Sequence, residues 1–329
     1  MATVIGGNAT GGMNFDGGLD IGSLAYGDVT QAGGSFVQLR TEADPSGWFY
    51  DNFWGSFTYN SAGDLTGGTI TRWEERVDSS LYFDIQNVAV PVATFLDWVA
   101  RGDNATAIRT VLAGADSIAG TIYGDLIRGY DGADTISGGG GADLIDGGAG
   151  VSYLRGDEGA DTITGGASFD DINGNMGDDS ASGGLGGDWV VGGKDQDRLR
   201  GDDGDDIVYG NLGLDTCEGG NGADTVRGGQ DDDIVLGQAG NDWLSGDRGS
   251  DTITGGTGAD IFHTFGDAGV DRVTDFNLAE GDRVMVDPGT TYAVAQSGAD
   301  TVITMGGGGQ MILVGVQASS LSGDWIFGA

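Results

Sequence analysis

The sequence predicts a mainly β protein whose centre is a parallel β-roll, a solenoid of short strands, and three phased observations predict it. From Asp116, steps of nine residues land on Asp125, Asp134, Asp143, Ser152, Asp161, Asp170, Asp179, Asp188, Asp197, Asp206, Asp215, Asp224, Asp233, Asp242, Asp251 and Asp260, so sixteen of seventeen positions are Asp. Two residues after each stands an apolar side chain, from Ile118 to Phe262, with Ala181 and Cys217 among them. Five residues before stands Gly in every unit from Gly120 to Gly255. Self-similarity at a fixed period marks a repeat architecture, and three constraints in one frame over about 150 residues exclude coincidence.

Each element of the unit has a physical task. The x-apolar-x segment is a short strand that turns one side chain inward, because neighbours on a strand alternate faces. The glycines turn the chain through backbone angles closed to other residues. Two nonapeptides make one 18-residue coil, and stacked coils give two parallel sheets around a thin aliphatic row. Each coil then buries about two aliphatic side chains, roughly 1.5 to 3 kcal/mol apiece. Ordering the backbone costs about 1 to 2 kcal/mol per residue, and Gly loses the most. Aspartates stacked at about 4.8 Å repel one another as well. Alone, the segment is expected to be unfolded. Carboxylate and carbonyl oxygens on one set of loops supply the six to eight hard ligands that Ca2+ accepts, and metal binding then becomes folding free energy.

Composition narrows the rest. The 329 residues include 68 Gly, 45 Asp, 6 Glu, 14 basic residues and 3 Pro, for a formal charge of -37. So acidic a chain offers nothing electrostatic to nucleic acid or to an anionic membrane surface, and its natural small partner is a cation. Gly does not recur every third residue, which excludes collagen. A hydrophobic share of 38% argues against simple disorder. One Cys and one His leave neither a disulfide scaffold nor a Cys/His zinc site. An EF-hand fails for want of its closing Glu and flanking helices. No stretch approaches the roughly 20 apolar residues of a membrane span, and Met1 to Gly12 shows no signal-peptide pattern.

The nonapeptide G-G-x-G-x-D-x-apolar-x resembles the repeats of the RTX (repeats-in-toxin) family of secreted proteins, over residues 109 to 265. The resemblance implies a right-handed β-roll with calcium-filled turns. It also implies that each ion sits between one loop and the loop 18 residues on. One set would be the carbonyls of Gly139 and Gly141 with the Asp143 carboxylate, facing the carbonyls of Gly156 and Glu158 with the Asp161 carboxylate. Seventeen loops give 15 such sites, 13 of them with both carboxylates because Ser152 enters two, hence up to about 13 to 15 ions. Tyr123, Ser168, Asp195 and Asp231 depart from Gly at the fourth loop position.

Three regions follow: 1–110, a small β-rich domain ending in helices; 111–265, the roll; and 266–329, a C-terminal β cap. Strand-like runs lie at Ser35 to Leu39, Gly47 to Tyr59, Leu65 to Glu74 and Leu81 to Val88, with 61–64 as a hairpin connection. Pro91, with Val92, Phe95, Leu96 and Val99 after it, opens one helix, and a second opens at Asp103. Both would cover the end of the roll. Further strands are expected at Arg272 to Phe276, Arg283 to Val286, Tyr292 to Ala295, Thr301 to Met305, Met311 to Val316 and Trp325 to Phe327. This end is similar to the uncleaved C-terminal signal of RTX proteins, which type I secretion machinery reads. Export without an N-terminal signal peptide is therefore expected, to the extracellular space or cell surface.

Catalytic patterns are missing. There is no H-E-x-x-H, and a serine hydrolase would need the lone His263, near which no G-x-S-x-G elbow stands. His263 reads as a strand residue and Cys217 as a buried thiol. Glu42, Glu74 and Glu75 read as surface charge, although carboxylate-pair chemistry stays open. The aromatics Trp48, Phe49, Tyr50, Phe53, Trp54, Phe57 and Tyr59 read as a core, an interface or a ligand platform. The expected function is non-enzymatic: a secreted calcium-binding structural protein that self-associates as a surface layer, filament or matrix. The alternatives are an adhesin that holds a glycan, a cell-surface polymer or a protein, and a small secreted hydrolase.

Overall fold

The computed structural model describes residues 112–328 without a break. Before them it describes the strands β1 (Thr3–Gly6), β2 (Asp28–Ala32), β3 (Phe36–Thr41), β4 (Phe49–Tyr59), β5 (Leu65–Val77) and β6 (Ser80–Pro91), together with Thr94. The chain forms two compact units, 1–154 and 155–329.

In the first unit, β2 to β6 form an antiparallel meander in chain order. The long pairing of β4 with β5 agrees with the expected hairpin, although 60–64 lie outside the described residues. All four expected strands are present, the last two extended to Val77 and Pro91. Pro91, expected to open the first helix, is instead the last residue of β6, and residues 92–93 and 95–111, where the rest of the two expected helices would run, lie outside the described residues. Of the aromatic cluster, the Phe53 side chain is described and is buried. β1 joins two kinds of sheet: it runs antiparallel to β6 and parallel to β7 (Ser117–Ala119), with Thr3 opposite both Gln86 and Ser117. β7 then pairs in parallel with β9 (Thr135–Gly140), and β8 (Leu126–Arg128) with β10 (Leu144–Gly148), each 18 residues on.

In the second unit the roll runs from β12 (Thr162–Gly166) through β13 (Asp171–Met176) and its successors to β23 (Ile261–Thr264). Every strand pairs in parallel with the strand two further on, as in Thr162 opposite Ser180, Trp189 opposite Ile207 and Ile234 opposite Thr252. The inward row from Ile163 to Phe262 is sealed from solvent, and Ala181 and Cys217 take their places in it.

The sheets do not stop where the nine-residue period stops. β24 (Val270–Val273) lies parallel to β22 (Thr252–Thr257), with Ile253 opposite Val273, a step of 20. β25 (Arg283–Val286) lies parallel to β23 with a step of 22. β28 (Gln310–Leu313) and β29 (Ile326–Gly328) add one parallel strand to each sheet, and β26 (Tyr292–Ser297), β27 (Asp300–Met305) and β28 form an antiparallel meander. The expected strand Arg272 to Phe276 ends at Val273 because Asp275 turns inward, accepting hydrogen bonds from Gly255 and Gly256 N–H at 2.9 and 2.8 Å. Val273, Phe276, Val284, Ile303, Met311 and Trp325 fill this end.

Candidate metal centre

Every Asp of the nine-residue frame, from Asp116 to Asp260, is at most 4% exposed, and Ser152 is buried in the same place. Carboxylates are seldom buried unless paired. The pairing is half complete. The Oδ1 atom accepts the backbone N–H of the Asp one coil earlier: Asp134 from Asp116 and Asp143 from Asp125 in the first unit, then Asp179 from Asp161 and so on to Asp260 from Asp242, at 2.7 to 3.0 Å. The Oδ2 atoms of Asp134 and of each ladder residue from Asp179 to Asp260 are buried without any hydrogen-bond partner.

The repeat's glycine follows from this geometry. Each Asp folds back over the first residue of its own loop, and a Cβ placed on Gly165, Gly183 or Gly219 would stand 2.7, 2.5 or 2.5 Å from the Oδ2 of Asp170, Asp188 or Asp224. Any side chain there collides with the carboxylate. Gly139 and Gly141 have positive φ, 98° and 103°, and lie so close to Thr121 and Tyr123 one coil earlier that no side chain fits. Gly156 is buried under the Asp161 carboxylate, while Glu158 is exposed at the end of β11 (Tyr153–Glu158).

Burial raises the carboxyl pKa values from the ordinary 3.8, opposed by the backbone N–H bond and reinforced by neighbouring aspartates. Asp197 and Asp233 rise to about 8, Asp179, Asp188 and Asp224 to about 7, and Asp134, Asp215 and Asp260 to about 6. Without a cation the ladder resists ionisation. An orphaned buried acceptor costs about 1 to 3 kcal/mol and a charged one more, and here the orphan recurs in coil after coil. A cation seated among these oxygens removes both defects. Among the described residues no three carboxylate, imidazole or thiol side chains converge on one point. The bare Oδ2 atoms are hard oxygen donors, the type that Ca2+ takes.

Two ladder residues escaped the sequence reading. Asp271 and Asp282 are buried, and their Oδ1 atoms accept the N–H of Asp251 at 3.4 Å and of Asp260 at 3.0 Å. The usable signal was D-x-apolar without its phase: Asp271-Arg272-Val273, preceded by Gly266, and Asp282-Arg283-Val284. Asp271 keeps an orphaned Oδ2, and burial with the Asp251 charge pushes its pKa up. Asp282 does not, because its Oδ2 accepts the Asn277 N–H at 2.7 Å.

The one histidine stands in β23, as the sequence suggested, in a line of polar contacts: Ser245 Oγ at 3.3 Å from His263 Nδ1, and Asp287 Oδ1 at 3.0 Å from Nε2. The line is not a nucleophile with its base. Ser245 is wholly buried, its hydroxyl donates to Asp247 Oδ1 at 2.8 Å, and the imidazole stacks on Trp243. Burial likewise pushes the Cys217 thiol well above its ordinary pKa, which makes it inert. No described helix is long and apolar enough to cross a membrane.

The model of the RTX calcium-binding nonapeptide repeat matches in overlapping windows over residues 112–273. Among solved structures, the extracellular lipase LipA from Serratia marcescens is similar at 20% identity and a TM-score of 0.30, over 66% of this chain and 40% of that one. The AlgE6R3 subunit of the Azotobacter vinelandii mannuronan C5-epimerase is similar at 26% identity and a TM-score of 0.23, over 41% of this chain and 78% of that one. This chain thus spans less than half the length of the lipase. A search of curated proteins found no match.

Proposed function

We propose, from the premise that residues 112–273 are RTX calcium-binding nonapeptide repeats, that this chain is a secreted structural protein which folds on calcium outside the cell and then associates with itself. The repeats bind Ca2+. The ligands we assign are the ladder aspartates, from Asp116 to Asp260, with Asp271 added, and the loop carbonyls exemplified by Gly139, Gly141, Gly156 and Glu158. The ion supplies positive charge and oxygen coordination in a buried site, and the chain does the rest. Its aspartates hold neighbouring coils in register through Oδ1, present Oδ2 to the ion, and exclude water by their burial.

The observation that carries the reading is the repeated orphaned Oδ2, which makes the fold conditional on a cation in coil after coil. A chain that stays unfolded at low calcium suits passage through a type I secretion channel, and sites of the extracellular kind work at about 10⁻⁴ to 10⁻³ M calcium. The sealed Ser245 and doubly engaged His263 favour a structural role over hydrolysis. Electron microscopy and sedimentation of the full chain test it. Ordered assemblies in about 1 mM calcium, dispersed by chelator, are the expected result, and a dispersed monomer in both conditions overturns the assembly role. The adhesin reading rests on the aromatic run from Trp48 to Tyr59, and glycan binding lost in Trp54→Ala would favour it instead.

A further inference from the structure

β26 differs from every other strand of the second unit. All six of its residues are exposed on both faces, and it is the terminal strand of its sheet, paired with β27 along one side among the described residues. The pairing runs without a bulge from Tyr292 opposite Met305 to Ser297 opposite Asp300. Just before it, Gly306 N–H donates to Thr291 C=O at 2.7 Å. Antiparallel ladders alternate, so that bond sets the phase: residues 291, 293, 295 and 297 direct their polar backbone groups to β27, while Tyr292, Val294 and Gln296 direct theirs to the free edge.

Exposed edges are ordinarily blunted by charge, proline or a bulge. β26 has none of the three. Its surroundings are as unusual, since the 36 residues from 288 to 323 contain one charged side chain, Asp300, in a chain of net charge -37. That carboxylate already accepts the Gly315 N–H at 2.8 Å. Two copies of so acidic a molecule repel wherever their rolls approach. β26 itself carries no charged side chain.

We propose that β26 is the docking edge for a second copy of this chain, the two strands pairing antiparallel about a two-fold axis. The phase fixes the register: Val294 sits on the axis opposite itself, and Tyr292 lies opposite Gln296 of the partner subunit, so that every outward N–H and C=O finds a partner. Such an isologous pair closes on itself as a dimer. Six residues a side bury less than the roughly 1,200 Å² of a stable interface, so the dimer forms reversibly with concentration. This deepens the assembly reading by naming one contact, and it stands on the geometry of the edge.

Sedimentation velocity of the full chain in calcium, over a concentration series, tests it. Wild type is expected to shift from the 33.4 kDa monomer to a dimer. Val294→Pro removes an N–H that the β27 ladder does not use, and Val294→Glu sets two like charges on the axis. Both are expected to raise the dissociation constant about tenfold or more with an unchanged calcium-induced circular dichroism spectrum. Association of both variants at the wild-type concentration overturns this edge while leaving assembly through another surface. A wild type that never associates overturns the edge and the assembly reading together.

Discussion

The roll and the C-terminal cap of the second unit use the same rung and hold it by different means. In the roll, a strand such as β16 (Arg198–Asp203) buries one aliphatic side chain, Leu199, and two polar loops flank it, each with a buried carboxylate. In the cap, Val284, Ile303, Met311, Phe276 and Trp325 are all buried, and the Phe276 and Trp325 rings meet edge to face at 6.4 Å. Asp282 shows the change at a single residue. It stands where a ladder Asp stands, yet both its oxygens accept backbone N–H groups, whereas Asp197 leaves Oδ2 bare. One geometry thus comes with two kinds of support: aromatic and aliphatic side chains in the cap, and one aliphatic row with buried carboxylates in the roll.

The largest expected effect of this difference is on chelation. With excess EGTA, hydrogen exchange over 155–264 is expected to lose its protection wholesale, while amides of β27 and β28 keep part of theirs. Uniform loss over both regions, or none, would break the comparison.

A smaller effect separates single carboxylates. Asp197→Asn keeps the acceptor for the Asp179 N–H and loses the charge offered to the ion. In calcium it is expected to lower stability by about 1 to 3 kcal/mol, because the carboxylate offered to the ion is lost. Asp282→Asn sets an amide NH2 against a backbone N–H and is expected to cost about 1 to 3 kcal/mol in either condition. Thermal melts of both variants with and without calcium check the sign.

The gentlest lever is pH. In the metal-free roll the ladder pKa values lie above the ordinary 3.8, at about 6 for Asp215, 7 for Asp188 and 8 for Asp197, burial being the first cause in each. The folded form therefore binds protons more tightly than the unfolded one. Its stability is fullest below about pH 4 and is lost as pH rises through 6 to 8, the reverse of the usual carboxylate case. Calcium competes with those protons, so in calcium the trend should invert. Sheet content by circular dichroism in EGTA is expected to be greater at pH 5 than at pH 8, and the reverse would contradict the ladder's raised pKa values.

Much of this was legible in the chain because the roll is quasi-one-dimensional: each coil touches only its neighbours, so a period in sequence is a distance in space. The inward placing of Val190 and the stacking of Asp188 on Asp206 one coil on needed nothing more. The cap was legible as strands, with Arg283–Val286 read to the residue. Its continuation of the ladder was not, because insertions stretch the steps to 20 and 22 and erase the phase that betrayed the rest. The bare edge of β26 was invisible for a related reason: an alternating run such as Tyr292 to Ser297 says that a strand forms and nothing of what lies on either side.

By itself, then, the sequence determined the repeat, its inward and outward faces and its need for a hard cation, since all three depend on residues a fixed few positions apart. Only the tertiary structure decided which oxygen of each Asp is already bonded, where the ladder ends, and which strand closes its sheet among the described residues. Those depend on groups 18, 20 or 22 residues apart, and a spacing that varies leaves no trace until the chain has closed on itself.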